Sequence, residues 1–329
     1  MNELGCFLPS RGSLADKVAL AVHAESLGYH SVWATHEFGH DALLLLATIA
    51  ASTSSVGLGT GIVPIYPRSP VLLAQEAASL DEFSRDRLWL GLGVSHRHMM
   101  ERMLGLSMGS PVDAMREYVS IVRDLLRGEM ADHTGGRFSA KVKLTNPHLR
   151  TPATPLLIAA LQPGMVRLAA EVADGIVLWY CPPSYVRDQL MPVLAQELER
   201  HGRDPSTFVV AAMVPLVVSD EISAAQAVAR RDLTYYAQVP FYTRMLRGSG
   251  FDSEINALVE RRMAGDRQGA EAAISETMLD ELFGLGSRTE VAAAISRYRS
   301  AGVNLPLVRP TTGDGCAEPA QVLAAAKST

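Results

Sequence analysis

The residues best suited to chemistry are histidines that follow predicted strands. His36 and His40 lie four positions apart in THEFGHD, and His96 follows the glycine pair of LGLGVSHRHMME. An imidazole can transfer protons near neutral pH or bind a metal ion. However, Gly39 interrupts the first segment, and no third ligand lies at a useful spacing. We therefore expect no metal site, and an ordinary surface or N-capping loop is the alternative for this pair.

The glycine pair of residues 90–101 could belong to a phosphate loop or to a simple tight turn. It departs from the dinucleotide fingerprint because His96 occupies the third glycine position. It also follows a fourth predicted strand, whereas that fingerprint follows a first strand. The segment alone does not decide between a ligand site and a turn.

Two other predicted strands end in small or rigid residues. The segment GTGIVPIYPRSP has three prolines and two glycines, which indicate a stiff backbone that a flat ligand could approach at Thr60, Gly61 and Ile62. The segment AALQPGMVRLAAEVADG leads into a helix whose first N–H groups suit an anion. Close packing is the alternative for both. Trp179, at the end of the sixth predicted strand, would lie beside the second segment in a barrel.

The elements that position these residues alternate along the chain. Eight apolar strands are each followed by an amphipathic helix, which is typical of an α/β fold with a parallel sheet. Eight units without a midpoint linker favour a (β/α)8 TIM barrel over an open doubly wound sheet. We expect one domain over residues 1–329, with a hairpin excursion near 129–154 and a helical insertion near 222–285. The predicted strands are 4–8, 30–35, 55–63, 87–93, 155–160, 175–179, 208–218 and 303–310, and a helix is predicted over 185–202.

Composition limits the possible partners and compartment. The 329 residues are 48% hydrophobic and 20% charged, with a net charge of −5, which disfavours nucleic acid binding. The three cysteines show no metal or disulfide spacing, which favours a reducing, cytoplasmic location. The start of the chain lacks the features of a signal peptide, and the apolar run 42–51 is too short to cross a membrane.

Four segments together resemble the luciferase-like flavin or deazaflavin oxidoreductases, and within them the branch that uses coenzyme F420. The segments are GTGIVPIYPRSPVLLAQEAASLDEFSRDRLWLGLGVSH, GLSMGSPVDAMREYVSIVRDLLRGE, LLIAALQPGMVRLAAEVADGIVLW and SAGVNLPLVRP. This resemblance implies a TIM barrel with insertions and a non-proline cis peptide in the third strand, here Gly61–Ile62. It also implies that LGLGVSH supports the edge of a flat ring.

The resemblance also assigns roles to individual residues. It implies a proton-transfer pair at His36 and Glu37, and we keep His96 and His40 as further candidates for that role. The chain departs from the family pattern at Gln162, where glycine is common, and at His36 and Glu37, whose order is reversed in many relatives. The resemblance implies cofactor contacts at the ring edge, Gly93, Val94, Ser95 and His96, and at the phosphate site, Ala159, Ala160, Leu161 and Gln162 with Gly164 and Met165. The features of the strand ends add Thr60, Gly61, Ile62 and Trp179 as expected cofactor contacts.

The expected function is hydride transfer between F420 and a small organic substrate. A monooxygenase that uses reduced FMN is the first alternative, and a ligand-binding protein without turnover is the second. Arg68 and Arg97 could add positive charge for the anionic cofactor or could face solvent. We expect a homodimer through helices of the first half of the chain. The substrate and the direction of the reaction are not indicated by the sequence.

Overall fold

Parallel strands make up the core of the chain in a computed structural model, which describes residues 3–146, 149–150 and 152–327. A separate antiparallel hairpin falls within the predicted excursion. The main-sheet strands are β1 (Gly5–Phe7), β2 (Ser31–Ala34), β3 (Gly57–Thr60), β4 (Val63–Pro64), β5 (Leu88–Gly93), β8 (Leu156–Ala159), β9 (Gly175–Leu178), β10 (Val209–Val218), β11 (Gly284–Gly286) and β12 (Leu305–Pro310), and the hairpin strands are β6 (Ala131–Thr134) and β7 (Ser139–Val142).

The strand order closes the main sheet into a barrel. The order is β11, β10, β12, β1, β2, β3, β5, β8 and β9, with β4 beside β5 and a further pairing between β9 and β10. Among the described strands, β11 pairs only with β10 and lies at the end of the strand order. Without β11, and with β3 and β4 counted as one strand, the barrel has eight parallel strands. The (β/α)8 TIM-barrel prediction is confirmed, and all eight predicted strands are present.

Helices follow the strands, and several begin where the sequence supplies a cap. Ser13 and Asp16 form a capping box at the first helix, and Ser287 and Glu290 form one near the end of the chain. The helices are α1 (Leu14–Ser26), α2 (Ala42–Ser52), α3 (Pro70–Ser84), α4 (Pro111–Leu126), α5 (Pro163–Val172), α6 (Pro183–Tyr185), α7 (Met191–Arg200), α8 (Ile222–Ala237), α9 (Pro240–Gly248), α10 (Asp252–Met263), α11 (Arg267–Ala272), α12 (Glu276–Leu282), α13 (Arg288–Ser300) and α14 (Pro319–Lys327), with π-helical segments at His98–Met103 and Val186–Leu190 and a 3-10 turn at Pro205–Thr207.

Three predicted elements differ in detail from the structure. The third strand, predicted as continuous over 55–63, is divided into β3 and β4 by a cis peptide bond between Gly61 and Ile62. The helix predicted over 185–202 is interrupted because Val186–Leu190 is π-helical. The predicted insertion 222–285 is helical up to α12, but its last residues form β11, which pairs in parallel with β10.

The chain divides into two compact units, each of which is described by itself below. As far as their residues are described, the first unit comprises Met1–Pro9, Leu178–Val193 and Val210–Thr329, and the second comprises Ser10–Val177 and Leu194–Val209. Large aromatic side chains fill both cores: Tyr180 and Tyr298 are fully buried in the first unit, and Trp33 and Tyr118 in the second. Within the described part of the chain, no helix is both long enough and apolar enough to cross a bilayer.

Candidate active site

A one-residue bulge interrupts the third barrel strand, between β3 and β4, in the second unit. β3 pairs Leu58 with Leu88, whereas β4 pairs Val63 with Leu92. Three residues of the first strand, 60–62, therefore lie opposite two residues of β5. An extra residue of this kind bends the strand and redirects its side chains.

Ile62, at this bulge, connects the ends of four strands. A Cβ atom added to Gly93 would lie 2.5 Å from Ile62 Cδ1 and 3.3 Å from the Cβ of Ala159, so the glycine leaves room for the isoleucine. The carbonyl of Ile62 accepts a hydrogen bond of 3.3 Å from the backbone N–H of His36. The structure thus brings together His36, the cis peptide Gly61–Ile62, Gly93 and Ala159, and the cis bond lies where the resemblance implied it.

Thr60 links the bulged strand to the neighbouring strand β5 through its side chain. Its hydroxyl donates to the carbonyl of Gly91 at 2.9 Å and accepts from the N–H of the same glycine at 2.8 Å. The side chain is fully buried, so its hydroxyl is used within the sheet. Thr60 joins the two strands where their regular backbone pairing is interrupted.

The imidazole of His36 is held from one side by the start of α2. Its Nδ1 accepts a hydrogen bond of 3.3 Å from the N–H of Ala42, and it lies 3.7 Å from Oδ2 of Asp41. Burial lowers the pKa of His36, the nearby Arg68 lowers it further, and Asp41 opposes both effects. About a quarter of the side chain is exposed, 23%, so the ring can be reached by a ligand.

Asp41 connects the histidine to a short chain of charges. Its Oδ1 accepts from Leu43 N and Leu44 N, which caps α2. Its Oδ2 accepts from Arg68 at 2.7 Å, and the same guanidinium pairs with Glu76 at 2.9 Å. Arg68 is therefore engaged by two carboxylates.

His40 and Glu37, the other candidates in this loop, lie near a buried lysine. Lys17 of α1 is only 5% exposed, and its ammonium contacts the carbonyl of Ser10 at 2.9 Å and Nδ1 of His40 at 3.2 Å. Burial lowers the pKa of Lys17, and the electrostatic effect of Glu37 opposes this. Because an ammonium only donates hydrogen bonds, Nδ1 of His40 is the acceptor in this contact. Glu37 itself is exposed.

The loop after β5 leaves the strand through an unusual backbone. Ser95 has a φ of 58°, in the left-handed region that side chains other than glycine rarely adopt. Val94 and His96 are half-buried on either side, and burial lowers the pKa of His96. Arg97 is exposed and pairs with Glu101. The π-helical segment His98–Met103 follows at once.

The start of α5 has the features of an anion site. Its N-cap residue, Gln162, makes no capping hydrogen bond, and Pro163 occupies the first turn. The side-chain nitrogen of Gln162 is buried and has no hydrogen-bond partner among the described residues. A Cβ atom added to Gly164 would meet no atom within 4 Å, so space is open there. Ala160 and Met165 are buried beside this turn, and Leu161 is half-buried.

In the first unit, Trp179 lies in an aromatic cluster with a charged centre. Its ring meets Phe7 edge-on, with the centroids 5.0 Å apart, and lies 6.0 Å from the ring of Tyr236. Arg309 of β12 places its guanidinium 5.7 Å from the indole ring. Trp179 is half-buried, so part of its surface remains available.

Asp232 of α8 holds this arginine. Arg309 donates to both carboxylate oxygens of Asp232, at 2.5 and 3.1 Å, and to the hydroxyl of Tyr180 at 2.8 Å. The hydroxyl of Tyr180 also bonds to Asp232. The network fastens the helical insertion of the first unit to the end of a barrel strand.

Sequence reasoning missed Lys17, Asp232 and Tyr180 as parts of these clusters. A signal existed for Lys17, since it shares a helical face with the buried residues Ala21 and Ala24. No comparable signal marked Asp232, whose partner is far along the chain. Among the described residues, no group of three or more His, Cys, Asp or Glu side chains is arranged to hold a metal.

Comparison with known proteins identifies the relatives of the chain. The sequence profile of the luciferase-like monooxygenases matches residues 1–305. A 5,10-methylenetetrahydromethanopterin reductase of Methanolobus tindarius is 28% identical over 304 residues, which cover 90% of each chain.

Two solved structures are similar in fold. The coenzyme F420-dependent tetrahydromethanopterin reductase of Methanopyrus kandleri superposes with a TM-score of 0.87 at 20% identity, covering 99% of this chain and 97% of that chain. The oxygenating constituent of 3,6-diketocamphane monooxygenase from Pseudomonas putida, in complex with FMN, gives 0.71 at 18% identity, covering 99% and 96%. At these identities the two likenesses show a shared fold.

Proposed function

The chain belongs to the luciferase-like monooxygenase family, and from that premise we propose that it is an F420-dependent oxidoreductase acting on a small organic substrate. The observation that carries the proposal is the meeting of His36, Ile62, Gly93 and Ala159 in the second unit. The 28% identical methylenetetrahydromethanopterin reductase supports an oxidoreductase, and the fold shared with the F420-dependent reductase supports the choice of cofactor.

The residues present fit a flat ring with an anionic tail. The ring would rest on the bulge at Gly61 and Ile62, where Gly93 leaves the neighbouring strand without a side chain. The ring edge would follow Val94, Ser95 and His96. The phosphate would bind at residues 159–162, where α5 lacks a cap and Gln162 offers a buried amide nitrogen. In the first unit, Trp179 offers an aromatic surface.

The protein's own task is to position the substrate, exclude water and place a polar hydrogen near the reacting atoms. When bound, the deazaflavin supplies or accepts a hydride. We assign His36 as the residue that contacts the reacting group, because its imidazole is reachable and lies at the bulge. Glu37, His40 and His96 rank after it. Arg68 and Arg97 serve as partners of carboxylates.

A binding experiment tests the choice of cofactor. The purified chain is titrated separately with F420 and with FMN, and the two dissociation constants are compared. Tighter F420 binding, followed by a change in deazaflavin absorbance with a suitable substrate, supports the proposal. His36→Asn is expected to reduce turnover strongly while the F420 dissociation constant changes little.

A reduced-FMN monooxygenase is the second candidate, favoured by the shared fold of the FMN-bound diketocamphane enzyme. Micromolar or tighter FMN binding with weak F420 binding would favour the monooxygenase over the F420-dependent oxidoreductase. Binding of neither cofactor would favour a protein without turnover. Sedimentation tests the proposed homodimer.

A further inference from the structure

We propose that the N–H of Ala42, together with the engagement of Asp41 by Arg68, fixes His36 as a neutral imidazole with its hydrogen on Nε2, so that it meets the substrate as a hydrogen-bond donor. The inference rests on the proposed function only for the identity of the ligand. The state of the ring follows from contacts within the second unit. It adds a substrate class, since the group facing His36 must be an acceptor such as a carbonyl or imine.

The contact at Nδ1 of His36 determines which ring nitrogen carries the hydrogen. The N–H of Ala42 donates to this nitrogen, so Nδ1 must carry a lone pair rather than a hydrogen. In a neutral imidazole the hydrogen then lies on Nε2. No described residue bonds to Nε2, and the ring is partly exposed. The donor nitrogen is therefore the one left for a ligand.

Asp41 carries the carboxylate that could place the hydrogen on Nδ1 instead. Asp41 could accept a hydrogen from Nδ1, but the 3.7 Å separation is too long for a hydrogen bond. Its oxygens are occupied by the two N–H groups of α2 and by Arg68. The guanidinium thus holds the carboxylate away from His36 and adds a positive charge that opposes an imidazolium.

The other charged side chains near this loop are engaged away from His36. Glu76 lies on the far side of Arg68 and pairs with it. Lys17 is directed to Ser10 and His40, and its electrostatic partner is Glu37. Within the described residues, the charges that act on His36 are those of Asp41 and Arg68. Burial of the ring lowers the pKa of His36 and Arg68 acts in the same direction, whereas Asp41 opposes both.

The ligand class follows from the tautomer. A ring with hydrogen on Nε2 can donate to the oxygen of a carbonyl or the nitrogen of an imine. It cannot accept the hydrogen of an alcohol at that nitrogen without losing the bond to Ala42. The arrangement therefore favours substrates that present an acceptor atom, as expected for a reductive direction.

The decisive measurement is a long-range 1H–15N correlation spectrum of the whole chain labelled on histidine, without cofactor. His36 is assigned from the signal lost in His36→Gln. At pH 7 we expect an unprotonated Nδ1 and a protonated Nε2. A hydrogen on Nδ1, or a charged ring, would overturn the inference. The spectrum is recorded on the wild-type chain without ligand, and a variant is needed only for assignment. Its result therefore does not depend on whether the chain binds F420.

Variants test the part played by the charges. Arg68→Gln removes the cation and releases Asp41, so the titration midpoint of His36 should rise and hydrogen should appear on Nδ1. Arg116→Gln makes the same change in the Arg116–Glu171 pair of α4 and α5 and should leave His36 unchanged. An unchanged midpoint in Arg68→Gln would remove the positioning role of the arginine.

Turnover provides a second readout. Gln places an amide N–H close to the position of Nε2, whereas Asn places its amide close to Nδ1. His36→Gln should therefore retain more turnover than His36→Asn, and its rate should lose any dependence on histidine titration. Equal loss in both variants would contradict a donor role. If F420 fails to bind but the Nε2 hydrogen is observed, the proposed function fails and this inference stands.

Discussion

At the scale of single residues, the glycines of LGLG illustrate why the segment was ambiguous as sequence. Gly91 and Gly93 are required by packing, since added Cβ atoms would meet the backbone of Thr60 and the side chain of Ile62. Packing thus explains both glycines, and the approach of a ligand to this segment stays a prediction. The cis bond between Gly61 and Ile62 was expected from the family resemblance rather than from the residues, because nothing in local composition specifies it.

A matched pair of substitutions separates the two roles of glycine. Gly93→Ala forces a Cβ against Ile62, and overpacking of this kind costs about 1–3 kcal/mol of unfolding free energy. Gly164→Ala adds a methyl group in open space at the start of α5, so stability should be unchanged or slightly higher. If α5 binds the phosphate, Gly164→Ala should weaken F420 binding all the same. Urea unfolding and cofactor titration measure the two effects, and unaltered F420 affinity in Gly164→Ala would argue against a phosphate at this helix.

At the scale of elements, the barrel strands could be predicted from the sequence, whereas the contacts of the helical insertion could not. Apolar runs such as LLIA and GIVL identify strands buried on both faces, and cap residues such as Ser13 identify helix starts. Residues 222–285 were recognised only as helical. Their contacts are set by partners distant in the chain, such as Arg309 with Asp232, and no periodicity records such a pair.

The Asp232–Arg309 pair should anchor α8 within the first unit. Asp232→Asn keeps the shape of the side chain but leaves the guanidinium, only 17% exposed, without its carboxylate. Hydrogen bonds to charged groups contribute about 1.5–3 kcal/mol, and we expect a loss of that size together with faster hydrogen exchange in α8. Arg187→Gln, at the exposed pair with Asp188, is the control and should change neither quantity. Normal exchange in α8 of Asp232→Asn would show that apolar packing alone holds the helix.

At the scale of the whole molecule, exposed leucines on neighbouring helices support the proposed dimer. Leu44 of α2 is 69% exposed and Leu72 of α3 is 54% exposed, and these two helices pack together. Both helices belong to the first half of the chain, through which the homodimer was expected. The paired change Leu44→Glu and Leu72→Glu should shift a dimer to monomer in sedimentation, whereas Met263→Glu, at a residue 85% exposed, should not. A wild-type chain that sediments as a monomer would exclude this assembly.

The dependence of stability on pH should separate into two windows. Burial lowers the pKa of both His36 and His96, so the unfolded chain binds protons below its ordinary histidine pKa of about 6.5 while the native chain resists them. Stability is therefore complete above that pH and declines as the pH falls toward the native values. Burial raises the pKa of Glu25, but three backbone N–H groups and a serine hydroxyl together lower it to about 2, so its contribution is lost only in the acid range of carboxylates.

Urea unfolding at a series of pH values distinguishes the histidines from the carboxylate. His36→Gln and His96→Gln should each lose less stability than the wild type between pH 7 and pH 5, because neither glutamine titrates. Glu25→Gln should differ from the wild type even at pH 7, since it removes the charge that the N–H groups of 54–56 stabilise. If His36→Gln and the wild type decline in parallel, then His36 has an ordinary pKa in the native chain. Asp41 would then fully offset the lowering of the His36 pKa by burial and Arg68.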